Sequence, residues 1–144
     1  LTCTFKPSIF SPVVAFSPLL GRPLDSYSQK ILDHYRSPRH SGVLASANAK
    51  GEAENPACGD SMRFFARVEN GLIVEVSCQT FGCAPSVAAG SVLAELVKGK
   101  SLQSIEIDAY IIEKALGGLP PIKRHAAVLA ADAFHSFVND FHTT

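Results

Sequence analysis

From Ser61 to Glu69 apolar and polar positions alternate, with Met62, Phe64, Ala66 and Val68 on one face and Arg63, Phe65, Arg67 and Glu69 on the other. A period of two is that of a strand buried on one side. A second alternating run puts Leu72, Val74, Val76, Cys78 and Thr80 on one face. Asn70-Gly71 lies between the runs, and this pair suits a two-residue turn that needs positive φ at both positions. The two runs therefore predict a hairpin with one apolar side. Elsewhere the period is helical. Tyr27, Ile31, Leu32 and Tyr35 recur at three- and four-residue intervals, with Ser26 as the predicted cap and Pro38 as the stop. Pro85 suits a first helical turn, and the small-residue run through Val87, Gly90, Ser91, Leu93, Ala94 and Val97 stops at Gly99. Ser101 to Ile107 and Asp108 to Leu116 read as two short helices. Pro120-Pro121 then opens a long helix, on which Ala126, Ala130, Ala133, Phe134, Phe137, Val138 and Phe141 form a stripe wide enough to cover a sheet. The expected architecture is α+β, a small antiparallel sheet of about three strands covered by helices.

Composition narrows the class. The chain has 144 residues, 47% of them hydrophobic and 18% charged, which suits one globular domain. Thirteen basic residues balance thirteen acidic ones. The excess positive charge of a nucleic-acid binder is missing, so no nucleic-acid partner is expected. Residues 1–24 differ from the rest, with four prolines, Lys6 and Arg22 but no acid. They read as a loose extension to a domain spanning 25–144. Their apolar stretch is broken by prolines and too short for a membrane span. The acid-poor, serine-bearing composition resembles an organelle transit peptide, and a mis-set start or an expression remnant is an equal alternative.

Four cysteines in a domain that does not need disulfides direct attention to thiol chemistry. Cys3 lies in the extension, and Cys78 shares strand parity with core residues. Cys58, in Asn55-Pro56-Ala57-Cys58-Gly59-Asp60, precedes the first hairpin strand, and Cys83, in Phe81-Gly82-Cys83-Ala84-Pro85, follows the second. Antiparallel strands return, so the two thiols belong at the same end of the hairpin. Cys83 also adjoins the amino end of a helix, where the dipole presents its positive pole. Asp60 adds a carboxylate, and its alternative role is that of a turn-capping aspartate after Gly59. His34, His40, His135 and His142 are expected on solvated surfaces. No hydrolytic nucleophile arrangement or phosphate-cradling loop is present, so no enzymatic activity is expected.

From Tyr27 to about Phe141 the sequence resembles the IscU/NifU-type iron–sulfur cluster assembly scaffolds. The resemblance is carried by Tyr27-Ser28 with Asp33-His34-Tyr35 and Pro38-Arg39, by the Asn55–Asp60 loop, and by Thr80-Phe81-Gly82-Cys83 with the Ser86, Gly90 and Ser91 helix. Leu119-Pro120-Pro121-Ile122-Lys123 adds a further match. It implies a SufE/NifU-like scaffold fold and a labile [2Fe-2S] cluster or iron held by Cys58, Asp60, Cys83 and His125, with zinc as an alternative ion. For His125 the other reading is a surface histidine beside Lys123 and Arg124. The family pattern has a third cysteine directly after that histidine, where this chain has Ala126.

The resemblance further implies a cysteine desulfurase as sulfur donor, a specialised Hsp70 with its J-protein gripping Leu119–Lys123, and apo iron–sulfur proteins as recipients. The setting would be a bacterial cytoplasm or the mitochondrial matrix, with no membrane partner. A homodimer could supply the missing ligand. Two other readings stay open at this point, a zinc-bearing sulfur-transfer or desulfurase-activating protein and a paralogue that keeps the fold and regulates without a cluster.

Overall fold

A computed structural model describes residues 27–56 and 59–143. The expectations for the 1–24 extension, for Ser26 and for Cys58 lie outside those residues. Helix α1 (Gln29–Arg36) is followed by strand β1 (Ala49–Asn55) and the hairpin β2 (Asp60–Glu69) and β3 (Leu72–Phe81). Then come α2 (Ala84–Val97), α3 (Ala109–Ala115), a single 3-10 turn (Pro121–Lys123) and α4 (His125–Thr143). The strands form an antiparallel sheet in the order β1-β2-β3, the α+β architecture that the periodicity predicts.

The hairpin turns at Asn70 and Gly71, with φ of 54° and 80°, as a mirror-image turn requires. Met62, Phe64 and Ala66 are fully buried, and Val68 nearly so. The expected inner face of β3 is corrected at its start. Leu72 is 45% exposed, whereas Ile73 is fully buried. The cause is a bulge. Arg67 pairs with Glu75 but Val68 pairs with Ile73, so Val74 is an extra residue and side-chain parity inverts across it. Beyond the bulge Val76 and Cys78 point inward as expected. Phe65 is also buried, on the opposite face, where it joins Leu44, Ala47 and Asn48 around a 300 Å³ hollow.

Three helix boundaries differ from expectation. α1 begins at Gln29 with Ser28 as its cap: the Ser28 hydroxyl accepts from the Ile31 amide at 3.2 Å and donates to the Leu116 carbonyl, tying the helix start to the end of α3. Ser101–Ile107 is no helix, because its first residues are bonded to the hairpin. Leu102 N–H donates to Gly71, Ile73 N–H donates to Lys100, and Ser101 bridges Leu72. The prolines make one 3-10 turn, and the long helix begins only at His125. Asp108 caps α3 by accepting from the Ile111 amide at 2.8 Å.

α4 lies so close to β1 that only glycine fits between them. A Cβ on Gly51 would sit 2.2 Å from the Ala133 carbonyl oxygen and 2.3 Å from the Phe137 amide nitrogen. α4 also shields the edge of the sheet. The Lys50 amide donates to Asp140 and the Glu52 amide to Ser136. Further in, Phe64 meets Phe134 and Phe137 edge-on at centroid distances of 5.7 and 5.1 Å.

α1 docks on α2 through a polar contact. His34 is 8% exposed, correcting the solvated histidine expected there, and its Nδ1 lies 2.7 Å from Ser91 Oγ. It occupies the helix face of Ile31, one turn away, and so turns inward with it. Burial, with the Arg39 guanidinium as a second cause, holds the imidazole below its usual value, while Glu95 and Asp33 act in the opposite direction.

Gly51→Ala is expected to lower stability by about 3 kcal/mol or more, because the overlap is with backbone that cannot rotate away. Urea denaturation measures this, and a loss well under 1 kcal/mol would mean that α4 can lift freely. The folded chain takes up the His34 proton at lower pH than the unfolded chain. Its contribution is therefore present above about 6.5 and declines as pH falls through the folded value. Urea midpoints should drop between pH 7 and pH 5, and His34→Gln should make that slope shallower.

Candidate functional site

Asp60, Cys83 and His125 come from three different elements and meet at one end of the sheet. Asp60 is the first residue of β2 and pairs with Asn55, the last of β1. The loop between them closes tightly, with Gly59 at φ +78° and its amide donating to Asn55 at 2.8 Å. Cys83 is the residue preceding α2, in extended conformation, and its carbonyl takes the first helical hydrogen bond, from Val87. His125 opens α4.

The three converge on one carboxylate oxygen. Cys83 Sγ lies 3.3 Å from Asp60 Oδ2, and His125 Nε2 lies 3.6 Å from the same atom. All three donor atoms fall within 4.8 Å of one another. Asp60 is 6% exposed, and Ser86, fully buried in the first turn of α2, donates to Oδ2 at 2.6 Å. Ser86 Oγ also lies 3.3 Å from Cys83 Sγ. Gly82 leaves room for the carboxylate, since a Cβ there would come within 2.6 Å of Asp60 Cγ.

His125 Nε2 is buried and has no hydrogen-bond partner among the described residues. Such an atom is costly to leave unpaired, and it is aimed at a carboxylate and a thiol. Ligand atoms around one tetrahedral ion at about 2.0–2.3 Å stand roughly 3.3–3.8 Å apart, so the separations of Cys83 and His125 from Asp60 suit a metal. The donor set is mixed, one soft thiol, one imidazole and one carboxylate. Cys58 lies in the Asn55–Asp60 loop, outside the described residues. Ala126 follows His125 and is fully buried.

Two contributors went unrecognised in the sequence. Ser86 reads as one small residue in a small-residue helix, and Gly82 as a loop spacer. Their position beside Cys83 is the only local signal; contact with Asp60 emerges when α2 folds back on the hairpin. Cys78 lies in the core as its parity predicts, 5% exposed, and burial pushes its thiol up to about 12. Gly90 lets α2 approach it, since a Cβ there would fall 2.9 Å from Cys78 Sγ.

Residues 26–144 match the model of the NifU-like N-terminal domain. The chain belongs to the NifU-like N-terminal domain family. Among its relatives, the iron–sulfur cluster assembly scaffold protein IscU of Aquifex aeolicus is 43% identical over 118 residues, covering 80% of this chain and 75% of that protein. Iron sulfur cluster assembly protein 1, mitochondrial, of Debaryomyces hansenii is also 43% identical, over 121 residues, covering 80% of this chain and 67% of that one. In fold, this NifU-like domain is similar to a protein described as a scaffold for iron–sulfur cluster assembly in the SUF system of Fervidobacterium islandicum AW-1. The TM-score is 0.65 at 22% identity, over 78% of this chain and 96% of that one. No helix among the described residues of the domain is long and apolar enough to cross a membrane.

Iodoacetamide applied to the folded domain should alkylate Cys83 and spare Cys78, as read by peptide mass mapping. Equal labelling of the two would show α2 leaving the sheet in the native state.

Proposed function

We propose that this NifU-like domain is a scaffold or carrier, with no catalytic role of its own, that holds a labile [2Fe-2S] cluster as cargo and passes it to apo-proteins. The observation that carries this reading is the orphaned His125 Nε2 facing Asp60 Oδ2 and Cys83 Sγ, in a chain 43% identical to a protein named as such a scaffold. Cys58, two residues before Asp60, is the fourth donor of the proposal. Two thiolates, an imidazole and a carboxylate supply enough ligands for both irons, and the same set tolerates zinc.

Ala126 stands where the family resemblance places a third thiol. Sulfur delivered by a cysteine desulfurase would then be accepted by Cys58 or Cys83. Exchanging a thiolate for harder ligands loosens the hold on iron, which suits cargo that has to leave. Release would be assisted by a specialised Hsp70 and its J-protein at Leu119–Lys123. In that segment Ile122 is 80% exposed beside two prolines, an apolar side chain already presented to a partner.

Anaerobic reconstitution with ferrous iron, cysteine and a desulfurase, followed by visible absorption and metal analysis, tests the reading. Sulfur-to-iron charge-transfer bands should appear, and should be lost in Cys83→Ser and in Cys58→Ser. Ala126→Cys should slow cluster loss to a chelator. Stoichiometric zinc without such bands, or no metal at all, would overturn it.

A further inference from the structure

We infer that Ser86 is a positioning residue of this site, one that fixes the Asp60 carboxylate and the Cys83 sulfur relative to each other. The inference rests on the metal-holding reading above. Ser86 is 0% exposed, so its hydroxyl has neither a route to substrate nor water competing for its proton. A serine inside the first turn of a helix ordinarily turns back to nearby backbone. Here the hydroxyl reaches across to another element instead, donating to Asp60 Oδ2 at 2.6 Å. The distance is that of a strong, charge-assisted hydrogen bond.

With Cys83 Sγ 3.3 Å from both Ser86 Oγ and Asp60 Oδ2, the three side chains form a closed triangle. One corner is anchored to β2, and the other two are anchored to the start of α2. Coordinated sulfur is a thiolate and donates no hydrogen bond. In a loaded site the serine hydroxyl is therefore the donor of the three that remains. It holds Oδ2 toward His125 and Cys83 together, and outer hydrogen bonds of this kind orient ligand carboxylates. Gly82 works with it from the other side by leaving the carboxylate its space.

The test titrates cobalt(II) alone into the full chain, with affinity measured by chelator competition and geometry by the visible d–d bands. Ser86→Ala should weaken cobalt binding about ten- to a hundredfold and shift the d–d envelope. In an Asp60→Asn background, adding Ser86→Ala should cost much less, because the hydroxyl acts through the carboxylate. Unchanged affinity and spectrum in Ser86→Ala, with a wild-type chain that binds cobalt, overturns the inference and leaves the site reading standing. An equal loss in both backgrounds overturns it too, since the serine would then act on the fold at large. A wild-type chain that binds no cobalt removes the site reading and the inference with it.

Discussion

The contact of α4 with Gly51 sets the register by which His125 reaches the site. Helix backbone touches strand backbone there, so the two elements cannot slide past each other without collision. β1 and α4 run in opposite directions, and the spacing of each chain carries that register to the end of the sheet. From Ala133 back to His125 the helix rises about 12 Å, and from Gly51 to Asn55 the strand advances about 13 Å. The imidazole is thereby delivered beside the residue that pairs with Asp60. The absence of a methyl group at position 51 thus places the His125 side chain far along the chain, and the hydrogen bonds of the strand amides to Asp140 and Ser136 reinforce the same register.

Energetically the site runs against the core around it. A carboxylate at 6% exposure loses most of its hydration, a cost of several kcal/mol unless strong partners replace the water. Ser86 and Cys83 supply hydrogen bonds in place of water, while His125 contributes a buried nitrogen that hydrogen-bonds nothing described. A chain selected for stability alone would not gather these groups. Under the proposed function the arrangement is pre-organisation, with these side chains ordered during folding and not during loading.

What the sequence disclosed follows from the range of the interactions involved. The hairpin was legible because alternation and Asn70-Gly71 are local. β1 was not, since Ala-Lys-Gly-Glu-Ala-Glu-Asn has little strand propensity and is held in place by α4 and β2. The segment from Ser101 to Ile107 has helical spacing, yet its start is tied to the hairpin, with the Leu102 amide on the Gly71 carbonyl, and only the Ser104 and Ile105 amides turn back to Ser101. The bulge at Val74 leaves no local mark, and it inverted the expected start of β3. At the site, Asp60 and Cys83 were legible as residue types in glycine-flanked positions, whereas His125 entered only through the family resemblance. The buried state of His34 and the reach of Ser86 were not legible, because each depends on a partner more than twenty residues away.

The shielding of the sheet edges limits how this protein can meet others. On β1 the outward amides of Lys50 and Glu52 are taken by side chains of α4. On β3 the chain around His40–Gly42 and around Gly99–Ser101 bonds to Cys78 and to Ile73. Little continuous backbone remains to template an added strand, so recruitment of an extended peptide by sheet extension is disfavoured. Recognition is left to side chains projecting from turns and helix starts, and a partner bound in that way can be exchanged without disturbing a single rung of the sheet.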